Sequence, residues 1–100
     1  MKTATKRELE FITFSEITKS HINNYTIPQY GDKPDDEIES CTPEQCVRAI
    51  QKYARRFGAE RRGRLEELRD MVKIAHTACI AFYKMNPSTE EVTRIMEGRV

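Results

Sequence analysis

Hydrophobic residues recur along this chain at the three- and four-residue spacing of α-helices, and four segments show the pattern. The first predicted helix begins with the Thr-x-x-Glu capping pattern of Thr13–Glu16. Apolar and aromatic residues then fall on one stripe: Phe14, Ile17, His21, Ile22 and Tyr25. The stretch from Leu9 to Ile12 fits either a strand or a helix, and residues 1–12 are predicted as an extended or flexible start.

The second predicted helix has the clearest start in the chain. Thr42 is followed by Pro43, whose missing N–H is harmless at the first helical position, and then by Glu44 and Gln45. Gly58 is placed to end this helix in a left-handed conformation. Its apolar face consists of Cys46, Val47, Ile50, Tyr53, Ala54 and Phe57.

The third helix is the longest, spanning about residues 64–85 and ended by Asn86 and Pro87. Its main apolar stripe consists of Leu65, Leu68, Met71, Val72, Ala75, Cys79, Phe82 and Tyr83. Other apolar residues occupy the remaining faces of its second half. A helix that is apolar nearly all round is buried nearly all round, so we expect a central helix or one shared with a second subunit.

A short fourth helix begins at Ser88, has Val92, Ile95 and Met96 on one face, and ends at Gly98. The one long irregular stretch runs from Thr26 to Cys41. The patterns predict a single all-α domain over residues 1–100. It is a small bundle of three main helices and a short C-terminal one, with a long Pro-containing loop between the first two.

The composition narrows the class of protein. One hundred residues allow one domain, and no stretch approaches the 18 apolar residues of a membrane span. The N-terminus lacks the apolar run of a secretory signal, and three cysteines do not make a disulfide framework, so a cytoplasmic protein is expected.

Cysteines and histidines also raise the question of a zinc site. Cys41, Cys46, His21 and His76 are the candidate ligands, but they lack the paired spacings typical of zinc sites. Packed thiols and packed or interface histidines are the favoured interpretation. The chain has no P-loop and no recognisable nucleophile–base pattern.

Charge is strongly segregated although the net charge is only +1. Residues 32–47 hold six acidic side chains and one lysine, whereas residues 48–64 hold seven basic side chains and one glutamate. The basic segment predicts an anion or phosphate site, because arginine binds phosphate bidentately. Its residues are Arg55, Arg56, Arg61, Arg62 and Arg64. The alternative is a solvated turn whose arginines stabilise the end of the preceding helix.

Two pairs of carboxylates, each three residues apart, suggest a metal site. Glu67 and Asp70 lie in the first turns of the long helix, and Asp36 and Glu39 lie in the predicted loop. Four carboxylates would suit Mg²⁺ and, beside arginines, nucleotide pyrophosphohydrolysis. The alternative is that acids in the first helical turns simply interact with the helix dipole.

Two family resemblances bear on function. Residues 52–58, read as K-Y-x-x-R-x-G, together with Asp70-Met71-Val72-Lys73, resemble a family of small phage proteins of unknown function. Residues 66–70 followed by an apolar helix resemble the second metal-binding motif of the all-α MazG-like nucleotide pyrophosphatases. That second resemblance implies that Glu67 and Asp70 are metal ligands, although the family's first E-x-x-E helix has no convincing counterpart here.

The sequence therefore predicts a small phage- or prophage-type binding or accessory protein that acts through protein–protein contacts. We expect a homodimer through the long helix, with a protein or a phosphate-bearing ligand as a further partner, and no cofactor. The alternatives are a Mg²⁺-dependent nucleotide pyrophosphohydrolase and a nucleic-acid-binding accessory protein that uses the arginine cluster.

Overall fold

The computed structural model describes residues 3–30, 41–59 and 63–99, and every regular element in these ranges is helical. Helix α1 spans Lys6–His21, continues through a π-helical turn at Ile22–Thr26 and ends in the short helix α2, Ile27–Tyr30. Helix α3 spans Pro43–Arg55, α4 spans Arg64–Lys84 and α5 spans Thr89–Met96. The predicted all-α fold is confirmed.

The first helix begins earlier than the sequence pattern predicts. Thr5 is the N-cap, and its hydroxyl accepts a hydrogen bond of 3.1 Å from the N–H of Glu8. The predicted start at Thr13 is wrong, because Thr13 lies inside the helix. The nearby Ser15 hydroxyl donates to the carbonyl of Ile12, a hydrogen bond within the helix. Residues 6–12 are therefore helical rather than extended, consistent with their content of good helix formers.

The π-helical turn precedes a proline. Pro28 has no N–H to donate, and its ring would clash with the carbonyl four residues earlier in a regular α-helix. In the turn before it the N–H of Ile27 donates to Ile22, five residues back, so the backbone is locally widened. Part of the predicted Thr26–Cys41 loop is thus helical, and residues 31–40 lie outside the described ranges.

Helix boundaries in the second half of the chain match the predicted caps. Thr42 and Ser88 each form a complete capping box, with Gln45 and Glu91 respectively. Gly58 has the left-handed φ of 80° that stops α3. Asn86 stands in the left-handed region just before Pro87, where α4 ends.

Helices α3 and α4 form an antiparallel hairpin, and α1 packs against α4 on one side of it. Helix α5 makes no close backbone approach to another element of the described chain. In the same ranges no helix is long and apolar enough to cross a membrane.

The interior of the hairpin is small and partly polar. Among the described residues, Cys46 and Val72 are the buried apolar side chains, and Asp70 is buried with 2% of its surface exposed. Most of the long helix's main stripe is exposed in the single chain, so the alternative of a central helix is wrong, and the alternative of a helix shared with a second subunit stays a prediction. Polar groups such as Asp70, Lys73 and Thr77 take the inward positions instead.

Candidate functional site

The arginines of the predicted phosphate site differ in their exposure and in their partners. Arg55 and Arg64 are exposed at the ends of α3 and α4, whereas Arg61 and Arg62 lie outside the described residues. Arg56 is turned inward: its Nη2 lies 2.6 Å from Oδ1 of Asp70, and its guanidinium lies 5.1 Å from the ring centroid of Tyr53. One of the five predicted phosphate ligands is thus paired with a carboxylate inside the hairpin.

The two predicted metal ligands on α4 hold the hairpin together. Asp70 binds Arg56, and the Oε2 of Glu67 accepts a hydrogen bond of 3.3 Å from the N–H of Gly58 in the turn after α3. Asp36 and Glu39 lie outside the described residues. Among His, Cys, Asp and Glu side chains of the described ranges, no group of three or more is placed to hold a metal ion. The four-carboxylate Mg²⁺ site stays a prediction.

A cavity of about 250 Å³ lies on the side of the hairpin that faces α1. In the described ranges, α1, the π-helical turn, α3 and α4 all contribute to its wall, together with Cys41 from the segment before α3. Its chemically distinctive lining residues are His21, Tyr25, Tyr53, Lys73 and His76. The described lining therefore combines the positive charge of Lys73 with two imidazole rings and two tyrosine rings.

Lys73 occupies the centre of this arrangement. Its ammonium nitrogen lies 5.8 Å from the ring centroid of Tyr25 and 5.9 Å from that of Tyr53, within cation–π range of both. Tyr25 in turn stacks on His21, with centroids 5.0 Å apart. The Nδ1 atom of His21 is buried and has no hydrogen-bond partner among the described residues.

The surroundings of the cavity disfavour protonation of both histidines. Burial lowers the pKa of His21, and the positive charges of Lys73 and Arg69 lower it further. Burial also lowers the pKa of His76, and its proximity to His21 adds to the effect. In the described lining, Lys73 therefore supplies a positive charge even with both imidazoles neutral.

These pKa shifts predict a loss of stability at acid pH. In the unfolded chain both histidines have a pKa of about 6.5, and folding lowers the pKa of each. The unfolded chain therefore binds more protons than the folded protein below that pH. The unfolding free energy should fall as the pH drops from about 6.5 through the lowered pKa values. The melting temperature at about pH 7.5 and 5.5 measures this. A His21→Gln/His76→Gln variant should lose less stability, and an equal loss in both proteins would contradict the assignment.

Sequence reasoning did not bring these residues together. It treated His21 and His76 separately as packed residues and considered them jointly with Cys41 and Cys46 only as zinc ligands. All four do line this one cavity, although they form no metal-binding group there. One feature of the sequence does point to this cavity. Four of its lining residues share one face of the long helix: Lys73, His76, Thr77 and Ile80.

The opposite side of the hairpin is an exposed apolar surface, which we call the outer face. On α3, Val47 is 48% exposed and Phe57, just beyond its end, is 64% exposed. On α4, exposed apolar residues follow each other at alternating spacings of three and four: Leu68, Met71, Ala78, Phe82 and Met85, with the half-buried Ala75 between. This is the heptad spacing of helices that pack against another helix.

Comparison with known proteins adds no relative: no protein-family model, curated protein or solved structure matches the chain. The resemblances to small phage proteins and to MazG-like pyrophosphatases therefore stay predictions.

Proposed function

We propose that this chain is a small helical binding protein that works as a homodimer, with the outer face of the α3–α4 hairpin as the interface. The observation that carries this proposal is the imbalance between buried and exposed apolar side chains. Two are buried in the described ranges, whereas fifteen large ones are exposed there. Eight of these fifteen belong to the α3–α4 hairpin, and large exposed apolar patches mark interaction sites.

A second copy of the chain suits the outer face better than other occupants. The net charge of +1 per chain opposes self-association very little. Two hairpins that meet through such faces form a four-helix bundle, a common architecture with a core of heptad positions. The exposed stripe from Leu68 to Met85 has the length for this, about 25 Å at 1.5 Å per residue.

The biological role proposed with the dimer is that of a cytoplasmic accessory protein of a phage or prophage. Cys41, Cys46 and Cys79 are all unpaired, which suits a reducing compartment. The phage-type role rests on the resemblance of residues 52–58 and 70–73 alone. Exposed α5, with its free apolar residues Ile95 and Met96, offers a further surface for a protein partner.

Light scattering coupled to size-exclusion chromatography tests the proposal. We expect a mass of about twice the 11.7 kDa of one chain at micromolar concentration, and dissociation only on strong dilution. A mass of one chain across the whole concentration range would overturn the proposed function.

A further inference from the structure

We propose that the cavity between the π-helical turn, α3 and α4 binds a small aromatic carboxylate that carries a single negative charge. Lys73 faces the carboxylate, and the rings of Tyr25 and Tyr53 face the aromatic ring of the ligand. This site is independent of the proposed dimer, because it lies on the side of α4 opposite the outer face.

Charge is the first argument for an anion. No acidic side chain lines the cavity in the described ranges, and Lys73 has no carboxylate partner in that part of the chain. Among the described residues the ammonium lies near the rings of Tyr25 and Tyr53, whose π faces attract a cation but supply no lone pair to its three N–H donors. An entering carboxylate would accept those hydrogen bonds and neutralise the charge.

The number of positive charges in the described lining favours a ligand with one negative charge over a phosphate. The described part of the cavity wall holds one permanent positive charge and two imidazoles, whose pKa values are lowered by burial and by neighbouring positive charge. Proteins bind phosphate with arginine forks and helix N-termini, whereas the described arginines lie outside this lining. A single carboxylate matches the single ammonium.

The walls and the size define the rest of the ligand. Cys46, Ala49 and Ile80 add apolar surface to the tyrosine rings. The volume of about 250 Å³ is below the usual range of about 300–1,000 Å³ for drug-sized ligands, so a single-ring acid fits better than a larger cofactor. The buried Nδ1 of His21, which has no partner in the part of the chain that the structure describes, offers a further polar contact beside the stacked ring of Tyr25.

Three probes of one shape test the charge requirement directly. Benzoate, benzamide and benzylamine present the same ring with a negative, a neutral and a positive group. Each is titrated into the full-length protein while the imidazole and backbone NMR signals are recorded. We expect benzoate to bind about tenfold or more tightly than benzamide, because the hydrogen bonds to Lys73 are charge-assisted. Benzylamine should not bind, and the shifted signals should belong to His21, His76 and their neighbours.

Two lysine variants separate the site from general attraction to a basic protein. Lys73→Met keeps the length and packing of the side chain and removes its charge, so benzoate binding should fall about tenfold or more. Lys52→Met removes an exposed charge from α3 outside the cavity and should leave it unchanged. Circular dichroism verifies that both variants are folded.

A pH series adds an independent readout on the wild-type protein. In the described part of the lining the titratable groups are Cys41, Cys46, the two histidines, the two tyrosines and Lys73, and Arg69 also acts on His21. Benzoate should raise the pKa of both histidines, so its affinity should increase as the pH falls through the histidine pKa values of the benzoate-bound protein. Equal affinities for benzoate and benzamide, full benzoate affinity in a folded Lys73→Met variant, or shifts spread away from the cavity would each overturn the proposal.

Discussion

Replacing Asp70 by alanine should lower the free energy of unfolding by about 3 kcal/mol, near the lower end of the range for breaking a buried ion pair. Asp70 is 2% exposed and its carboxylate binds the guanidinium of Arg56 at 2.6 Å. The Arg56 side chain retains 30% exposure, so part of its charge can return to water and the loss stays at that lower end. Chemical denaturation monitored by circular dichroism measures the change.

A matched pair of controls distinguishes this contact from a general effect of charge. Glu16 and Lys19 form an exposed pair 4.0 Å apart, and Glu16→Gln should change the stability by less than about 0.5 kcal/mol. The double variant Arg56→Met/Asp70→Leu should recover much of the loss, because neither charge is then buried alone. If Asp70→Ala costs no more than Glu16→Gln, the pair does not hold the hairpin together.

The same result bears on the magnesium hypothesis. A carboxylate that holds two helices together is not free to coordinate an ion without giving up Arg56. The effect of Asp70 substitutions should therefore appear first in stability, and it should appear in the absence of Mg²⁺.

Placing a glutamate on the outer face should have the second large effect. Met71→Glu or Phe82→Glu puts one carboxylate from each chain into the proposed dimer interface, where desolvation is unfavourable. We expect the dissociation constant of the dimer to rise by about two orders of magnitude or more, equivalent to about 3 kcal/mol. Sedimentation velocity over a concentration series measures it.

Ser20→Glu is the control for added charge. Ser20 is exposed on α1, the helix on the other side of the hairpin, and the substitution adds the same negative charge. It should leave the dimer intact. A Met71→Glu protein that associates as strongly as Ser20→Glu would show that the outer face is not the interface.

Much of the secondary structure could be predicted because helix ends are local. The capping boxes at Thr42 and Ser88 and the left-handed Gly58 depend on a few consecutive residues, and the structure confirms them. The same pattern failed at Thr13, because serine and threonine hydroxyls also bond to carbonyls inside a helix. The actual cap, Thr5, lies eight residues earlier.

The sequence does not predict which face of α4 turns toward α3. A stripe of apolar residues indicates that one face of the helix is buried, but it does not indicate which element covers that face. The stripe that holds Leu68, Met71 and Phe82 predicts a central helix or one shared with a second subunit, yet within one chain the α3 side of the helix is occupied by Asp70 and Thr77. Arg56 explains part of this choice, since it draws the Asp70 carboxylate inward. The cavity was missed for a related reason: it joins three segments that are distant in the sequence.

The most direct test of the dimer is an isotope-filtered NOE experiment on a mixture of labelled and unlabelled chains. Between chains, the methyl group of Met71 should give NOEs to protons of Val47, Phe57 or Phe82, because all four belong to the exposed apolar surface of one hairpin. Absence of any NOE between chains at these groups, in a sample concentrated enough for the measurement, would contradict a homodimer formed through the outer face.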